Sequence, residues 1–387
     1  MAISLVSKLP DVGTTIFTVI SRRAEELGAV NLGQGFPDYP IDPLLTELVA
    51  DAMRAGRNQY APMAGVPALL EQIALQLLRR HGLGIDPQQQ ITITLGATEA
   101  IFSAIAALAG PGDEVLVFDP AYDSYDPAVR VAGARCVHVP LLPPLFHYDW
   151  DRVRAAITPR TRLVVINSPH NPACTVMSAD DLAQLAALAA QHNLLVLSDE
   201  VYEHIVYSGT PHHSVLAHPG LRERSLAVYS FGKSMHATGL RVGYCVAPPL
   251  LTTELRKVHQ FNTFSVATAF QHALAGYLAA RPTAFDELPQ FFAHKRQLLT
   301  AGLEQSAFRV LPAQGTYFTL VDYSRCALLA GLDDAAAATR LLEQGGVASI
   351  PLAPFYREPV KHSLLRLCFA KQDATLAQAI SRLQSVQ

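Results

Sequence analysis

A lysine and an arginine lie close together in the sequence, directly after an apolar run that predicts a buried strand. Lys233 follows the run at 226–229 and precedes Arg241 by eight residues. An amine held at the end of a strand, beside hydroxyl groups and a fixed cation, can form a Schiff base with a carbonyl group. Taken alone, a lysine after a strand is more often a solvated surface residue. The residues at the other strand ends must therefore show whether Lys233 has a chemical role.

Four further apolar runs predict strands, at 91–94, 114–118, 163–166 and 194–197, and helical stretches such as 100–109 and 179–191 lie between them. This alternation is typical of an α/β protein with a mainly parallel sheet covered by helices. Ligands in such sheets bind beyond the carboxyl ends of the strands. The residues after each run are therefore the candidates for chemistry.

Each of these runs is followed by a group that could bind part of a ligand. Ala97 and Thr98 open a helix whose free N–H groups suit a phosphate, although Thr98 could simply cap that helix. Tyr122 could stack on a planar ring or could be a packing residue. Asn171 lies in a turn braced by two prolines, which fixes its amide. Asp199, if buried, needs a partner such as a protonated ring nitrogen, but it could equally be a helix N-cap.

These groups together match the needs of one cofactor. Pyridoxal 5'-phosphate requires a lysine for its aldehyde, a carboxylate for its pyridinium nitrogen, donors for its phosphate and neighbours for its ring oxygen. We therefore expect this chain to bind pyridoxal 5'-phosphate.

Several longer motifs carry a family resemblance. The segments at 167–172 (NSPHNP), 198–202 (SDEVY), 230–233 (SFGK), 241–244 (RVGY) and 365–369 (LRLCF) resemble the fold type I pyridoxal-phosphate aminotransferases of classes I and II. The segments at 31–38 and 262–266 are similar to the subgroup of methionine aminotransferase and kynurenine/glutamine transaminases. One departure is that Asn171-Pro172 is followed by Ala173-Cys174 instead of Thr-Gly, which changes the turn after the cofactor contacts.

The resemblance implies roles at the cofactor. Lys233 would carry it as a Schiff base, Asp199 would pair with the pyridinium nitrogen, and Asn171 and Tyr202 would bind the ring oxygen. Tyr122 would stack on the ring. The phosphate would be bound by a larger set, namely Ala97, Thr98, Ser230, Arg241 and a Tyr60 that reaches across from the partner subunit of a homodimer with shared active sites.

The resemblance also implies roles at the substrate. Arg366 would bind the α-carboxylate as a bidentate pair, beside Asn171 and the backbone of Gly35. Phe264 matches a pocket position, as do Phe17, Phe36 and Tyr60, although Phe17 and Phe264 could equally be core residues. These aromatic residues favour methionine or an aromatic amino acid as substrate.

The implied activity is transfer of an amino group from an L-amino acid to a 2-oxo acid by a ping-pong mechanism, with Lys233 as the general base. A β-elimination lyase on sulfur amino acids would use the same site and stays open. A cofactor-sensing regulator would need a DNA-binding segment, which is not recognisable. The dinucleotide-binding motif of a dehydrogenase is not matched, because Gly33-Gln34-Gly35 lacks the third glycine and follows no credible strand.

The character of the chain changes in its last hundred residues, where helices at 289–303 and 333–344 and strands at 316–321 and 364–369 are predicted. We expect a large cofactor-binding domain at 46–286 and a smaller α+β domain at 287–387. The segment 1–45 is expected to pack on the small domain.

Composition limits the remaining possibilities. A net charge of -3 over 387 residues, without a basic stripe, argues against a nucleic-acid partner. No apolar run is long enough to span a membrane. Five cysteines without a Cys-x-x-Cys pair argue against disulfides and a metal site and favour a cytoplasmic protein. His204, His212 and His213 are expected in a solvated loop.

Overall fold

The computed structural model describes residues 5–207 and 209–386, so the first four residues of the predicted segment 1–45 lie outside it. Within the described residues no helix combines the length and the apolar character that a membrane span requires.

The helices and strands alternate through most of the chain. The helices are α1 (Ile16–Glu26), α2 (Pro43–Arg54), α3 (Pro67–His81), α4 (Pro87–Gln90), α5 (Gly96–Leu108), α6 (Tyr125–Val131), α7 (Trp150–Ala156), α8 (Ala179–Gln191), α9 (Phe231–Ser234), α10 (Pro249–Asn262), α11 (Thr268–Ala280), α12 (Leu288–Leu303), α13 (Asp334–Gly345) and α14 (Asp373–Ser385). The strands are β1 (Val30–Asn31), β2 (Ile91–Thr94), β3 (Glu114–Asp119), β4 (Arg135–Pro140), β5 (Thr161–Asn167), β6 (Leu195–Asp199), β7 (Ser225–Ser230), β8 (Gly243–Val246), β9 (Arg309–Val310), β10 (Phe318–Asp322), β11 (Val347–Ala348), β12 (Ile350–Pro351) and β13 (Leu364–Cys368).

The large sheet has seven strands in the order β2-β8-β7-β6-β5-β3-β4. The strands pair in parallel except β8, which is antiparallel to both of its neighbours. The five strands predicted for this sheet are present, and β4 and β8 are additions. The predicted α/β architecture with a mainly parallel sheet is confirmed.

Both faces of this sheet are buried, which explains the unbroken apolar runs of its strands. In β5, Val164 and Ile166 pack into one hydrophobic cluster with α3, α8 and α11. The alternate residues Leu163 and Val165 pack into a second cluster with α5, α6 and α10. The crossover helix α8 begins at a capping box in which Ser178 and Asp181 exchange hydrogen bonds.

A second, antiparallel sheet in the C-terminal third has the order β12-β13-β10-β9. The N-terminal segment joins this region, because β1 pairs with β11 and Ile20 of α1 packs against Leu342 and Ile350. The exact boundaries of the predicted domains stay a prediction.

The expectation of a solvated loop for His204 and His212 is wrong. His204 is buried next to Glu203, and the side chain of His212 is almost fully buried with its Nε2 3.1 Å from Glu200 Oε2. Carboxylates at 200 and 203 explain this burial, because they give each imidazole a charged hydrogen-bond partner.

Candidate active site

A cavity of about 230 Å³ lies at the carboxyl ends of the central strands. It is lined by most of the residues that the sequence predicts for the cofactor and the substrate, namely Gly35, Ala97, Thr98, Tyr122, Asn171, Asp199, Tyr202, Ser230, Lys233, Arg241 and Arg366. Phe17 and Phe36 line it as well. The structure therefore brings groups from the N-terminal segment, the large sheet and the small sheet into one site.

Lys233 is positioned by the short helix α9, which begins directly after β7. Its Nζ lies 5.9 Å from the ring centroid of Tyr202 and 6.0 Å from that of Tyr317. Burial, followed by the nearby positive charge of Arg241, lowers the pKa of Lys233 to about 8. A larger fraction of this amine is therefore neutral at physiological pH than for an ordinary lysine.

Asp199 is the last residue of β6 and is buried. Its Oδ2 accepts a 2.6 Å hydrogen bond from the hydroxyl of Tyr125, and its Oδ1 accepts a 3.4 Å bond from the N–H of Val201. Burial raises the pKa of Asp199 to about 6, although the bond from Tyr125 opposes this shift. The alternative of a helix N-cap is wrong, because no helix begins at this residue.

An anion cradle, formed by Gly96, Gly243 and Arg241, lies at the N-terminus of α5. Arg241 adopts the left-handed conformation with φ 54°. A Cβ on Gly96 would lie 2.6 Å from Arg241 Nη2, and one on Gly243 would lie 2.6 Å from the carbonyl oxygen of Tyr229 and 2.9 Å from the nitrogen of Ala97. Because Gly96 and Gly243 have no side chain, the guanidinium of Arg241 can lie next to the N-terminus of α5. The alternative of Thr98 as the cap is wrong, since α5 has Leu95 as its N-cap residue.

Arg366 lies on β13, and its side chain is buried. Its Nη1 donates a 2.7 Å hydrogen bond to Asn171 Oδ1 and its Nη2 donates a 2.8 Å bond to the carbonyl oxygen of Gly33. Its guanidinium carbon lies 4.0 Å from the ring centroid of Phe318. Within the described chain its buried Nε has no hydrogen-bond partner. This fixed guanidinium thus retains N–H groups for an anionic ligand.

The sequence reasoning missed two residues that hold the predicted ones. Tyr125 supports Asp199, and Asn167 binds both segments of the site. The Nδ2 of Asn167 donates to the carbonyl oxygen of Asp199 at 2.8 Å, and its Oδ1 accepts from the N–H of Asn171 at 2.7 Å. Both residues lie at or near the carboxyl ends of strands, and only their contacts distinguish them from their neighbours.

Tyr60 and Phe264 are not among the residues that line this cavity. They pack edge to face with ring centroids 5.3 Å apart, and Tyr60 is 83% exposed. A single chain therefore does not bring these two predicted residues to its own site.

The chain matches the family described as aminotransferase class I and II over residues 28–383. It therefore belongs to this family, and it is an aminotransferase. The predicted family resemblance and fold type are confirmed.

Three relatives illustrate the range of the family. The chain is 50% identical to a methionine aminotransferase of Escherichia coli over 98% of both chains, and it superimposes on a solved E. coli structure reported with that function at 49% identity, complete coverage and a TM-score of 0.97. It is 39% identical to a probable N-succinyldiaminopimelate aminotransferase of Mycobacterium tuberculosis, over 98% of this chain and 97% of the relative. It is 34% identical to mouse kynurenine–oxoglutarate transaminase 1, over 94% of this chain and 93% of the relative.

Proposed function

We propose that this aminotransferase uses pyridoxal 5'-phosphate to move the amino group of an L-amino acid, preferably methionine or an aromatic one, to a 2-oxo acid in a ping-pong reaction. The observation that carries the proposal is that Lys233, Asp199 and Arg366 all line one cavity. A half-buried amine, a buried carboxylate and a buried guanidinium in one cavity have little structural purpose without a ligand.

The cavity fits the cofactor at its phosphate and at its ring. The anion cradle supplies the N–H groups of the α5 N-terminus and the charge of Arg241 for the phosphate, with Ser230 beside them. Asp199, with its raised pKa, gains a counter-charge if it faces a pyridinium nitrogen. Tyr122 lines the cavity where it can stack on the ring, and Asn171 and Tyr202 are available to the ring oxygen.

When bound, the cofactor supplies an aldehyde that condenses with amines and a protonated ring that withdraws electrons from the substrate Cα. Lys233 would hold the cofactor by its aldehyde until the substrate amine takes the place of the lysine. The freed Nζ would then be the base that removes the proton from the substrate Cα. Asp199 would keep the ring nitrogen protonated.

Arg366 orients the amino acid by its α-carboxylate. The Asn171 and Gly33 oxygens hold the guanidinium plane, so a carboxylate meets a preformed pair of donors. The carbonyl oxygen of Gly35 is itself held by the hydroxyl of Tyr317 at 2.7 Å, and a Cβ on Gly35 would lie 2.8 Å from Phe318. Gly35 lines the cavity, and Phe318 leaves no room for a side chain at this position.

The lining of the cavity supports an apolar side chain on the substrate. Phe17, Phe36, Ile101 and Phe318 contribute apolar surface. Among the described residues that line the cavity, the cations Lys233, Arg241 and Arg366 each already have a role, and no further lysine or arginine is available for a distal carboxylate. The resemblance to a methionine aminotransferase at 50% identity supports the same preference.

We also propose a homodimer with shared active sites in the cytoplasm. The exposed pair of Tyr60 and Phe264 suits delivery of these side chains to the partner subunit's cavity, with the Tyr60 hydroxyl near the phosphate. The five cysteines are all free thiols, which suits a reducing compartment.

A half-reaction panel tests the proposed function. The yellow holoenzyme is mixed with methionine, phenylalanine, tyrosine, kynurenine, aspartate or glutamate, and conversion of the cofactor to its amine form is followed by absorbance. We expect conversion with the first four and formation of the matching 2-oxo acid by mass spectrometry. Failure to respond to any amino acid would contradict the proposal, and release of ammonia with pyruvate from sulfur amino acids would favour the β-lyase alternative.

The role of Lys233 is tested with Lys233→Ala. We expect turnover to vanish, because both the covalent anchor and the general base are lost, whereas the exposed Lys257→Ala serves as the matched control with unchanged turnover. Near wild-type turnover in Lys233→Ala would overturn the assignment.

A further inference from the structure

A second cluster of chemically active side chains lies outside the active site, on the edge strand β4. Cys136 and His138 are two residues apart on this strand, so their side chains project from the same face. Asp126, in the first turn of α6, reaches the same point. One potential ligand atom from each of the three lies within 4.8 Å of those of the other two. Of the five cysteines, Cys136 alone is not fully buried.

The imidazole of His138 is oriented as in a metal ligand. Its Nδ1 lies 2.8 Å from Oδ1 of the buried Asp119, at the end of the neighbouring strand β3, and its Nε2 lies 3.5 Å from Asp126 Oδ1. The other oxygen of Asp119 accepts a 2.8 Å bond from the N–H of Arg357, which fixes the carboxylate. A carboxylate that holds one nitrogen of a histidine while the other nitrogen faces the ligand cluster is the usual outer contact of a zinc-binding histidine.

Asp126 also presents one oxygen to the cluster, where a metal would replace its ion pair with His138. Its Oδ2 accepts a 3.2 Å bond from Arg130, whereas its Oδ1 faces His138. A cavity of about 510 Å³ is lined by Asp126, Cys136 and His138, so solvent can occupy a fourth position next to the three side chains. Four arginines line the same cavity, and each is paired with a carboxylate of Asp11, Glu114 or Asp126, namely Arg130, Arg135, Arg160 and Arg357. One sulfur, one nitrogen and one oxygen ligand with an open position suit Zn²⁺ in tetrahedral geometry.

We propose that Asp126, Cys136 and His138 form a binding site for Zn²⁺ or a similar borderline divalent cation, with Asp119 as the residue that orients His138 and water as the fourth ligand. Binding forms bonds to Cys136 Sγ, His138 Nε2 and Asp126 Oδ1, and the protons on the sulfur and on Nε2 pass to solvent. Two protons leave as one divalent cation binds, so the net charge of the cluster is unchanged.

The site joins two parts of the chain that flank the active site. Tyr122 and Tyr125 lie between Asp119 and Asp126, and these two acidic residues are the ones that meet at His138. A bound cation therefore clamps both ends of the segment that carries the predicted stacking ring and the hydrogen-bond donor to Asp199. We expect it to raise the thermal unfolding midpoint of the holoenzyme.

Titration of the tag-free holoenzyme with Co²⁺ tests this site. We expect one Co²⁺ per chain, visible bands typical of tetrahedral coordination and a thiolate-to-metal charge-transfer band, followed by displacement with Zn²⁺. Cys136→Ser and His138→Gln should each weaken binding by about 100-fold or more and abolish these bands, and Asp119→Asn should weaken it by about 10- to 100-fold. His192→Gln, on the exposed end of α8, is the matched control.

The cofactor absorbance and the unfolding midpoint of each metal-free variant show whether it is folded. If Co²⁺ binds without a charge-transfer band, or if folded Cys136→Ser and His138→Gln bind as tightly as the wild type, the proposal is overturned. Unchanged affinity in Asp119→Asn would overturn the orienting role of that residue. Alkylation gives an independent readout, since Zn²⁺ should protect Cys136 from iodoacetamide in the wild type and leave it reactive in His138→Gln.

Discussion

The hydroxyl of Tyr125 donates a 2.6 Å hydrogen bond to Asp199 Oδ2 across 74 residues of sequence. This bond favours the ionised carboxylate, but burial outweighs it and the pKa of Asp199 still rises to about 6. The ionised form of Asp199 is therefore destabilised in the cofactor-free protein. It would be stabilised by a positively charged ring nitrogen next to it.

The first prediction concerns stability of the cofactor-free protein. In Asp199→Asn the amide oxygen can still accept the bond from Tyr125, but no buried charge remains. The folded-state pKa of Asp199 lies above its ordinary 3.8, so the folded protein loses stability as pH rises from about 4 to about 6. We expect Asn to raise the free energy of unfolding at pH 7 by about 1 to 3 kcal/mol, seen as a higher thermal midpoint.

The advantage of Asp199→Asn should shrink between pH 6 and pH 4, and turnover of this variant should fall severely. A variant that is no more stable than the wild type at pH 7 would show that Asp199 is not destabilised by burial. Tyr125→Phe is the companion variant. It should raise the pKa of Asp199 further and lower the cofactor affinity, because the carboxylate loses its donor.

The second prediction concerns the pH dependence of Lys233. Only a neutral amine attacks an aldehyde, so the rate at which the cofactor-free protein takes up pyridoxal should rise with pH and level off above about 8. Arg241→Gln should move this inflection upward, because Arg241 is the nearby charge that lowers the pKa of Lys233. Pyridoxal lacks the phosphate, which separates this effect from phosphate binding. An inflection near the ordinary lysine value of about 10.4 would contradict the burial of this amine.

The third prediction concerns Arg366. Arg366→Lys keeps the charge but loses the planar pair of donors, and we expect the apparent affinity for methionine to fall by about 10- to 100-fold. Cofactor affinity, measured by titration of the bound chromophore, should change much less. Equal loss of both affinities would show that Arg366 supports the whole cavity instead of the substrate carboxylate.

The fourth prediction concerns the anion cradle. Gly243→Ala places a Cβ against three backbone atoms that cannot rotate away, so the α5 N-terminus must move. Such overpacking costs about 1 to 3 kcal/mol, and we expect a correspondingly weaker binding of pyridoxal 5'-phosphate with a smaller effect on pyridoxal. Gly110→Ala is the matched control, since its Cβ would meet nothing within 4 Å. Equal effects on both ligands would argue against phosphate binding at this position.

The elements that the sequence predicts best are the strands buried on both faces. The runs that form β3, β5 and β7 are continuous and apolar, because helices cover each side of the sheet. The edge strand β4 was missed because polar residues such as Arg135 and His138 interrupt its apolar pattern. Strand β8 was missed because it is short and begins with Gly243.

The site itself was predictable where the residue type is unusual for its place. A lysine or a carboxylate directly after an apolar run predicts a functional residue, and Lys233 and Asp199 do line the cavity. Supporting residues such as Asn167 and Tyr125 have no such signal, since their importance comes from hydrogen bonds to distant segments. The proposed cation site at β4 has no such signal either, because a single strand carries only two of its three side chains.

The contact between Arg366 and the carbonyl oxygen of Gly33 joins residues 333 positions apart. The residues that we propose to bind the cofactor, from Ala97 to Arg241, lie in the first two thirds of the chain. A ribosome that has completed residue 300 has therefore produced these residues but not the guanidinium that we propose to bind the substrate α-carboxylate. During synthesis the proposed cofactor-binding groups are therefore complete before the last strand adds the proposed α-carboxylate-binding group.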